Sequence, residues 1–484
     1  MNAFEKFRYL GPMQTARKYA LKLEHAINCR RPPPSLPLPD QGIELRLTLL
    51  GHEFDLSRPD RWHYSPDTGQ VWPMKYGPAM PLDIAGDVKL VWELNRHQFL
   101  PSLDKELARR LVRDWIAQNP YPFGINWSSV LEAALRLIAW RETFGPHEFT
   151  EAQAQHRRYI DHFLSSDWVR RGNHLVGEAA GLSVYDGTPH RWLRQAAGEQ
   201  FYADGVHCEQ SVAYHHFVTH LFSVAGLPQS PALAYLGAIR QPDGTLPDIG
   251  DNDDGRASTP NLELPPAPAG SVAFPDAGHY VIREGGDYCF VRCGEFGLSP
   301  NYSHGHSDLL CPVLWLGGVP VLVDSGTFTY NGDPQWRRYF RSAAAHNGLT
   351  IDEQDWAEQA GTFAWHNPLR GICEAWTGTM FQGVVGPWRR RIEYLQGEFN
   401  IMDAVQGGGR HRLRWRFHLH PHRRVTRCAE NSFEIDDQFR LTAPGELRVA
   451  SGWFAPSYGV RVPTQVCEIS MDTELPAKAL FCFI

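Results

Sequence analysis

Pro260-Asn-Leu-Glu-Leu-Pro-Pro-Ala-Pro-Ala-Gly270 divides the chain. Prolines at this density lack the backbone N–H that helices and sheet interiors need, so the stretch reads as a linker. Before it, apolar residues recur at helical spacing. Leu103, Leu107, Leu111 and Trp115 return every fourth position. Ser129-Val-Leu-Glu132 is a capping-box pattern that opens a second helix through Leu131, Ala134, Leu135 and Ile138. Further helical patterns cover 151–165, 172–183, 190–200 and 207–225, with no strand signal between them. A basic amphipathic helix over 13–30, stopped by Arg31-Pro-Pro-Pro34, is expected to pack at the periphery rather than lie on a membrane. A Gly- and Pro-rich stretch with Trp62, Trp72 and Trp92 follows it.

Beyond the linker the period drops to two. In Arg412-Leu-Arg-Trp-Arg-Phe-His-Leu-His420 the residues Leu413, Trp415, Phe417 and Leu419 alternate with polar ones. Gly285-Gly286 between Tyr280-Val-Ile and Tyr288-Cys-Phe-Val291 signals a hairpin, and Pro312 to Val323 reads as another turned at Gly317-Gly318. Many short antiparallel strands predict a β-sandwich. The expected architecture is an α-helical domain followed by an all-β domain: an arm over 1–92, helices over 93–265 and strands over 266–484. A cleft between two such domains is a usual place for a ligand.

Bulk properties narrow the function classes. A chain of 484 residues exceeds one ordinary core. Its 43% apolar content is that of a globular protein, and a net charge of -7 gives no global attraction to nucleic acid or anionic membrane. Nine cysteines without a CxxC pair read as reduced, mostly buried thiols. No secretory leader and no membrane span are evident, so the cytoplasm is expected, or the periplasm if a leader has been removed. The oligomeric state is left open, a dimer being one option.

The chemistry concentrates in a few places. Asn301-Tyr-Ser-His-Gly-His-Ser-Asp308 carries two histidines that, on a strand, would share a face, so one could take a proton while the other holds an ion. His306, Asp324 and His346 suit a metal, because two imidazoles and a carboxylate are a common zinc set. Against this, Asp324 could merely shape its Asp-Ser-Gly turn. Arg171-Gly-Asn-His-Leu-Val-Gly-Glu178 places Asn173, His174 and Glu178 at a helix start, where Asn173 could be a simple N-cap. Asp204 to His216 is dense in polar groups, with Gln210 and Tyr214 on one face of the expected helix and His207 and Ser211 on another. Arg337, Arg338 and Arg341 around Tyr339 suit an oxyanion, or a solvated face. Asp251-Asn-Asp-Asp254 lacks a full calcium-loop pattern and reads as an acidic turn.

In this order the blocks resemble the heparinase II/III family of polysaccharide lyases. The resemblance rests on Trp92-Glu-Leu-Asn-Arg-His97, Gly124-Ile-Asn-Trp127, Gly172-Asn-His174, Asp204 to Ser211 with Tyr214, His304-Gly-His306, Val323-Asp-Ser-Gly-Thr327 and Arg338 to Asn347. It implies an incomplete (α/α) toroid followed by a β-sandwich. It also implies β-elimination at a uronic acid, which demands that the substrate carboxylate be neutralised while a base takes the C5 proton. Asn173 and His174 would bind that carboxylate. Tyr214 would be the acid, and on some epimers also the base, its pKa lowered by His174, His207 or Arg341. His304 would be a base on the opposite face. Glu178, His207, Gln210, Arg338 and Arg341 would contact substrate, and His306, Asp324 and His346 would hold a structural zinc. The acidic chain suits an unsulfated or lightly modified uronate polymer better than heparin. A glycoside hydrolase using Glu209 and Asp248 is the second reading, and an inactive carbohydrate-binding protein of exopolysaccharide assembly the third.

Overall fold

The computed structural model describes residues 3–165 and 172–484. Its helical half comprises α1 (Ala3–Asn28), α2 (Val88–Asn95), α3 (Lys105–Gln118), α4 (Val130–Phe144), α5 (Thr150–Phe163), α6 (Asn173–Asp186), α7 (Arg191–Glu199), α8 (Val212–Val224) and α9 (Ser230–Ala238). α4 packs on α5 and α6, α6 on α7 and α8, and α8 on α9, which builds the expected incomplete toroid. Only half of the expected capping box forms: the Ser129 hydroxyl accepts from the Glu132 N–H, while the Glu132 carboxylate is taken by Arg96 instead of the Ser129 N–H. α2 and α9 were not expected, since each is short. A small hairpin, Arg46–Leu49 with His52–Asp55, lies in the N-terminal arm.

Several quoted motifs turn out to be core polar groups. Arg136, fully buried in α4, donates to the carbonyls of Asn95 and Asn126 and to His156 while stacking on Trp115. This arrangement absorbs much of Trp92–His97 and Gly124–Trp127 into packing.

After the extended 260–270 segment, strands begin at Val272. A five-stranded sheet runs in chain order from Val272–Phe274 to Val319–Leu322, and both expected hairpins lie in it. A four-stranded sheet centres on Arg410–His418 and Val460–Glu474, and an eight-stranded sheet includes Trp388–Leu395, Glu398–Val405 and Ala477–Phe483. Leu413, Trp415 and Phe417 point inward together, against Phe399 and Phe481, as their alternation requires. One helix interrupts this half, α10 (Pro334–Arg341), capped by Asp333.

The two halves are tied at Asp87, the N-cap of α2. One of its carboxylate oxygens accepts from the Thr329 hydroxyl, the Tyr330 N–H and the Tyr458 hydroxyl of the β domain. The candidate cleft opens beside this tie.

Candidate active site

Residues 207–211 form a loop, and α8 begins only at Val212, with Ser211 as its N-cap. The Ser211 hydroxyl accepts from the Tyr214 N–H at 3.1 Å and donates to the Asp251 carbonyl at 2.6 Å. One small side chain thus fixes both the helix that presents Tyr214 and the loop that carries Asp251.

His304-Gly-His306 lies in a turn and extended segment rather than a strand. The Asp251 N–H donates to the His304 carbonyl at 2.9 Å. Gly250 has φ +68°, and a Cβ there would come within 2.6 Å of that same carbonyl. A Cβ on Gly305 would sit 2.0 Å from the Phe296 carbonyl oxygen, which explains the glycine between the histidines. Gly305→Ala is expected to lower stability by about 1–3 kcal/mol, as overpacking does, measurable as a shift in the urea midpoint at unchanged slope.

Both histidines converge on one carboxylate. His304 donates from Nδ1 to Asp251 Oδ2 at 3.0 Å, and His306 from Nε2 to Oδ1 at 2.9 Å. The Arg337 guanidinium spans both oxygens from behind, with Nη2 at 2.8 Å from Oδ2. Burial alone would raise the Asp251 pKa, but Arg337 and the two imidazoles hold it well below the usual carboxylate range. For His304, burial disfavours the charged ring, yet the bond to Asp251 and the nearby Glu209 carboxylate raise its pKa. A carboxylate only accepts, so Nδ1 carries the proton and Nε2 presents a lone pair. Asn173 Nδ2 lies 3.3 Å from that lone pair.

Tyr214 stacks on His304, ring centroids 3.8 Å apart and planes 22° from parallel. The two therefore share one wall, whereas the resemblance placed them across the sugar from each other. The Tyr214 hydroxyl is 3.1 Å from that of Tyr330. Burial first, then the charges of Asp253 and Asp251, push its pKa well above 10. The expected cationic lowering is therefore absent. Arg341 donates instead to the carbonyls of Gly361, Thr362 and Ala364, and its own pKa is pressed down to about 9 by burial. His207 sits behind the wall, where its backbone N–H donates to His215 and its Nε2 meets Gln200.

Asn173 is the first residue of α6, with Gly172 as N-cap, so its side chain is not a cap. Its Nδ2 donates to Glu209 Oε2 at 2.9 Å and its backbone N–H to Oε1 at 3.1 Å. His174 is exposed at the cleft. Arg171 lies outside the described residues.

The site thus gathers Asn173, His174, Tyr214 and His304, and leaves other expected contacts elsewhere. Glu178 is buried, accepting from the Ser165 N–H and hydroxyl at 2.6 and 2.8 Å. Gln210 joins His279. Arg338 lines a separate groove with Tyr339 and Trp356. Arg337 and Arg341, one turn apart, both donate to the Thr362 carbonyl, and Arg338 turns away; with Arg337 on Asp251 and Arg341 on backbone carbonyls, no oxyanion cluster forms. Missed by the sequence reading were Asp251 and Arg337 as the support of His304, Glu209 as the support of Asn173, and Tyr330.

The cleft holds about 340 Å³ and is walled by Trp92, Leu131, Phe217, Leu298 and Phe363. Among the described residues, the lysine and arginine that line it, Lys89 and Arg96, are engaged by Glu93, Glu132 and Asp253. Behind His304, ligand atoms of His306, Asp324 and His346 lie within 4.8 Å of one another, all three residues buried. His346 donates from Nδ1 to Asp324 Oδ2 at 2.7 Å, while the other Asp324 oxygen accepts from Gly326 in the expected turn. His306 Nδ1 and His346 Nε2 are buried without a partner among the described residues. Two orphaned lone pairs beside a carboxylate fit a metal ion.

Residues 266–479 match the family Heparinase II/III-like, C-terminal. No curated protein matches the chain. Among solved structures, a heparinase III superposes with TM-score 0.61 at 17% identity, covering 86% of this chain and 79% of the other. A heparinase III gene product gives TM-score 0.57 at 18% identity over 84% and 81%. A heparan sulfate lyase HepC mutant from Pedobacter heparinus gives 0.56 at 17% over 84% and 79%. The chain therefore shares the toroid-plus-sandwich fold of heparinase III, and its residues 266–479 match the heparinase II/III-like C-terminal family.

Proposed function

We propose that this protein is a polysaccharide lyase that cleaves a uronic-acid polymer by β-elimination. The observation that carries this reading is the stacked Tyr214–His304 pair, with Asp251 bonded behind the histidine and Asn173 in front of it. The substrate carboxylate sits against Asn173 and His174, which offset the charge that builds as C5 loses its proton. His304 Nε2 takes that proton. The C–H electron pair becomes the C4–C5 double bond, the C4–O bond breaks, and the Tyr214 hydroxyl protonates the departing oxygen.

Base and acid on one wall favour a syn course. In glucuronate and mannuronate the C5 hydrogen and C4 oxygen lie on the same ring face, so these configurations are the expected substrates. With Lys89 and Arg96 engaged by carboxylates, an unsulfated chain suits the cleft better than heparin. The hydrolase reading loses its carboxylate pair. Asp248 is bonded by Asn252 and lines other depressions, and Glu209 holds Asn173. Ultraviolet absorbance is followed as the enzyme meets polymers of each uronate epimer. Unsaturated product from glucuronate or mannuronate but not guluronate or iduronate is expected. New reducing ends without absorbance would overturn the reading.

A zinc ion held by His306, Asp324 and His346 would brace the segment that presents His304. Metal analysis is expected to find zinc in the purified chain, less in His346→Ala, and a chelator to lower the melting temperature of wild type alone.

A further inference from the structure

Over residues 16–28, helix α1 meets the rest of the protein along one side. Arg17 donates to the carbonyls of His162 and Leu164, Glu24 bonds to Tyr76 and His162, and His25 packs against Tyr76 and Phe163. At 3.6 residues per turn these positions share a face. The opposite face carries Ala16, Tyr19, Ala20, Leu23, Ala26 and Ile27, all exposed. Tyr19, Leu23 and Ile27 are 62%, 64% and 54% open to solvent, and they recur every fourth residue as one continuous stripe. Isolated exposed apolar residues need no explanation, but an aligned stripe does.

The fringe of the stripe is basic. Lys22 and Arg30 flank it, Lys18 and Arg31 lie close by, and Glu24 is the sole acid between Ala16 and Arg31. That acid faces inward. A chain of net charge -7 thus carries a locally cationic, apolar helix face. A second copy paired through this face about a two-fold axis would set its cations against their own duplicates. An anionic bilayer meets both features, since apolar side chains enter the acyl boundary while lysine and arginine reach the phosphates. We propose that α1 is an interfacial helix that docks this protein on an anionic phospholipid surface. Attachment is peripheral, for no described helix is long and apolar enough to cross a membrane. The proposal is independent of the chemistry in the cleft.

The test is co-sedimentation of the full chain with vesicles of phosphatidylglycerol in phosphatidylcholine, against phosphatidylcholine alone. Wild type is expected to bind the anionic vesicles and to be released by salt. Leu23→Ser/Ile27→Ser and Lys22→Glu/Arg30→Glu should each weaken binding by about tenfold or more, with melting temperatures unchanged because the face is exposed. Failure of wild type to bind, or equal binding to neutral vesicles, would overturn the proposal. So would a dimer in solution that Leu23→Ser/Ile27→Ser dissolves, for the stripe would then belong to a second copy.

Discussion

Tyr214→Phe is expected to lower kcat by about two to four orders of magnitude, the range general acid catalysis spans, and to leave KM nearly unchanged. The phenyl ring keeps the stack on His304, so the wall keeps its shape while the proton and the bond to the Tyr330 hydroxyl are lost. Tyr214 holds its proton beyond pH 10 because of burial and the carboxylates of Asp253 and Asp251. Wild-type activity should therefore show no rise on the alkaline side as phenolate would form, which distinguishes an acid from a base. Initial rates of double-bond formation across pH check both points. A variant with more than a tenth of wild-type kcat would remove Tyr214 from the chemistry.

Arg337→Leu is expected to cost about 3–5 kcal/mol of stability, because it strands the buried Asp251 carboxylate without its guanidinium. Arg337→Lys keeps the charge but not the two-pronged geometry, so it should fall between. Replacing both partners, Arg337→Leu with Asp251→Leu, should recover part of the stability, since no buried charge is left alone. It should recover no activity, because His304 then lacks the acceptor that fixes its Nδ1 proton. Urea unfolding and turnover, measured on the same four proteins, separate the two roles. Equal stability of Arg337→Leu and wild type would mean that Asp251 does not depend on Arg337.

The fold was legible because its two halves carry different periods. Leu103 to Trp115 and Leu413 to Leu419 each repeat a rule that burial enforces locally. The reaction-facing residues were legible where unusual types sit side by side, as in Gly172-Asn-His174 and His304-Gly-His306. What escaped depends on distant closure. Asp251 looks like any acid in a turn until a fold brings His304, 53 positions on, against it. In α10 a helix sends the adjacent Arg337 and Arg338 to different sides, and Arg341, on the face of Arg337, is claimed by the carbonyls of Gly361, Thr362 and Ala364, so only Arg337 reaches Asp251. Glu178 and Gln210 failed for a related reason. Each is polar and close to a true site residue, but its own nearest donor, Ser165 or His279, claims it first.

The node at Asp87 alters what the boundary at 260–270 means. In sequence it separates two domains. In the folded chain a helix cap of the first half is completed by a backbone amide and two hydroxyls of the second. Opening either half would leave the buried Asp87 carboxylate without those donors, at the cost of an unsatisfied charged group. The halves are therefore expected to unfold in one cooperative transition, which agreement of calorimetric and van't Hoff enthalpies would show. An excised β-domain would begin life with Tyr330 and Tyr458 facing water.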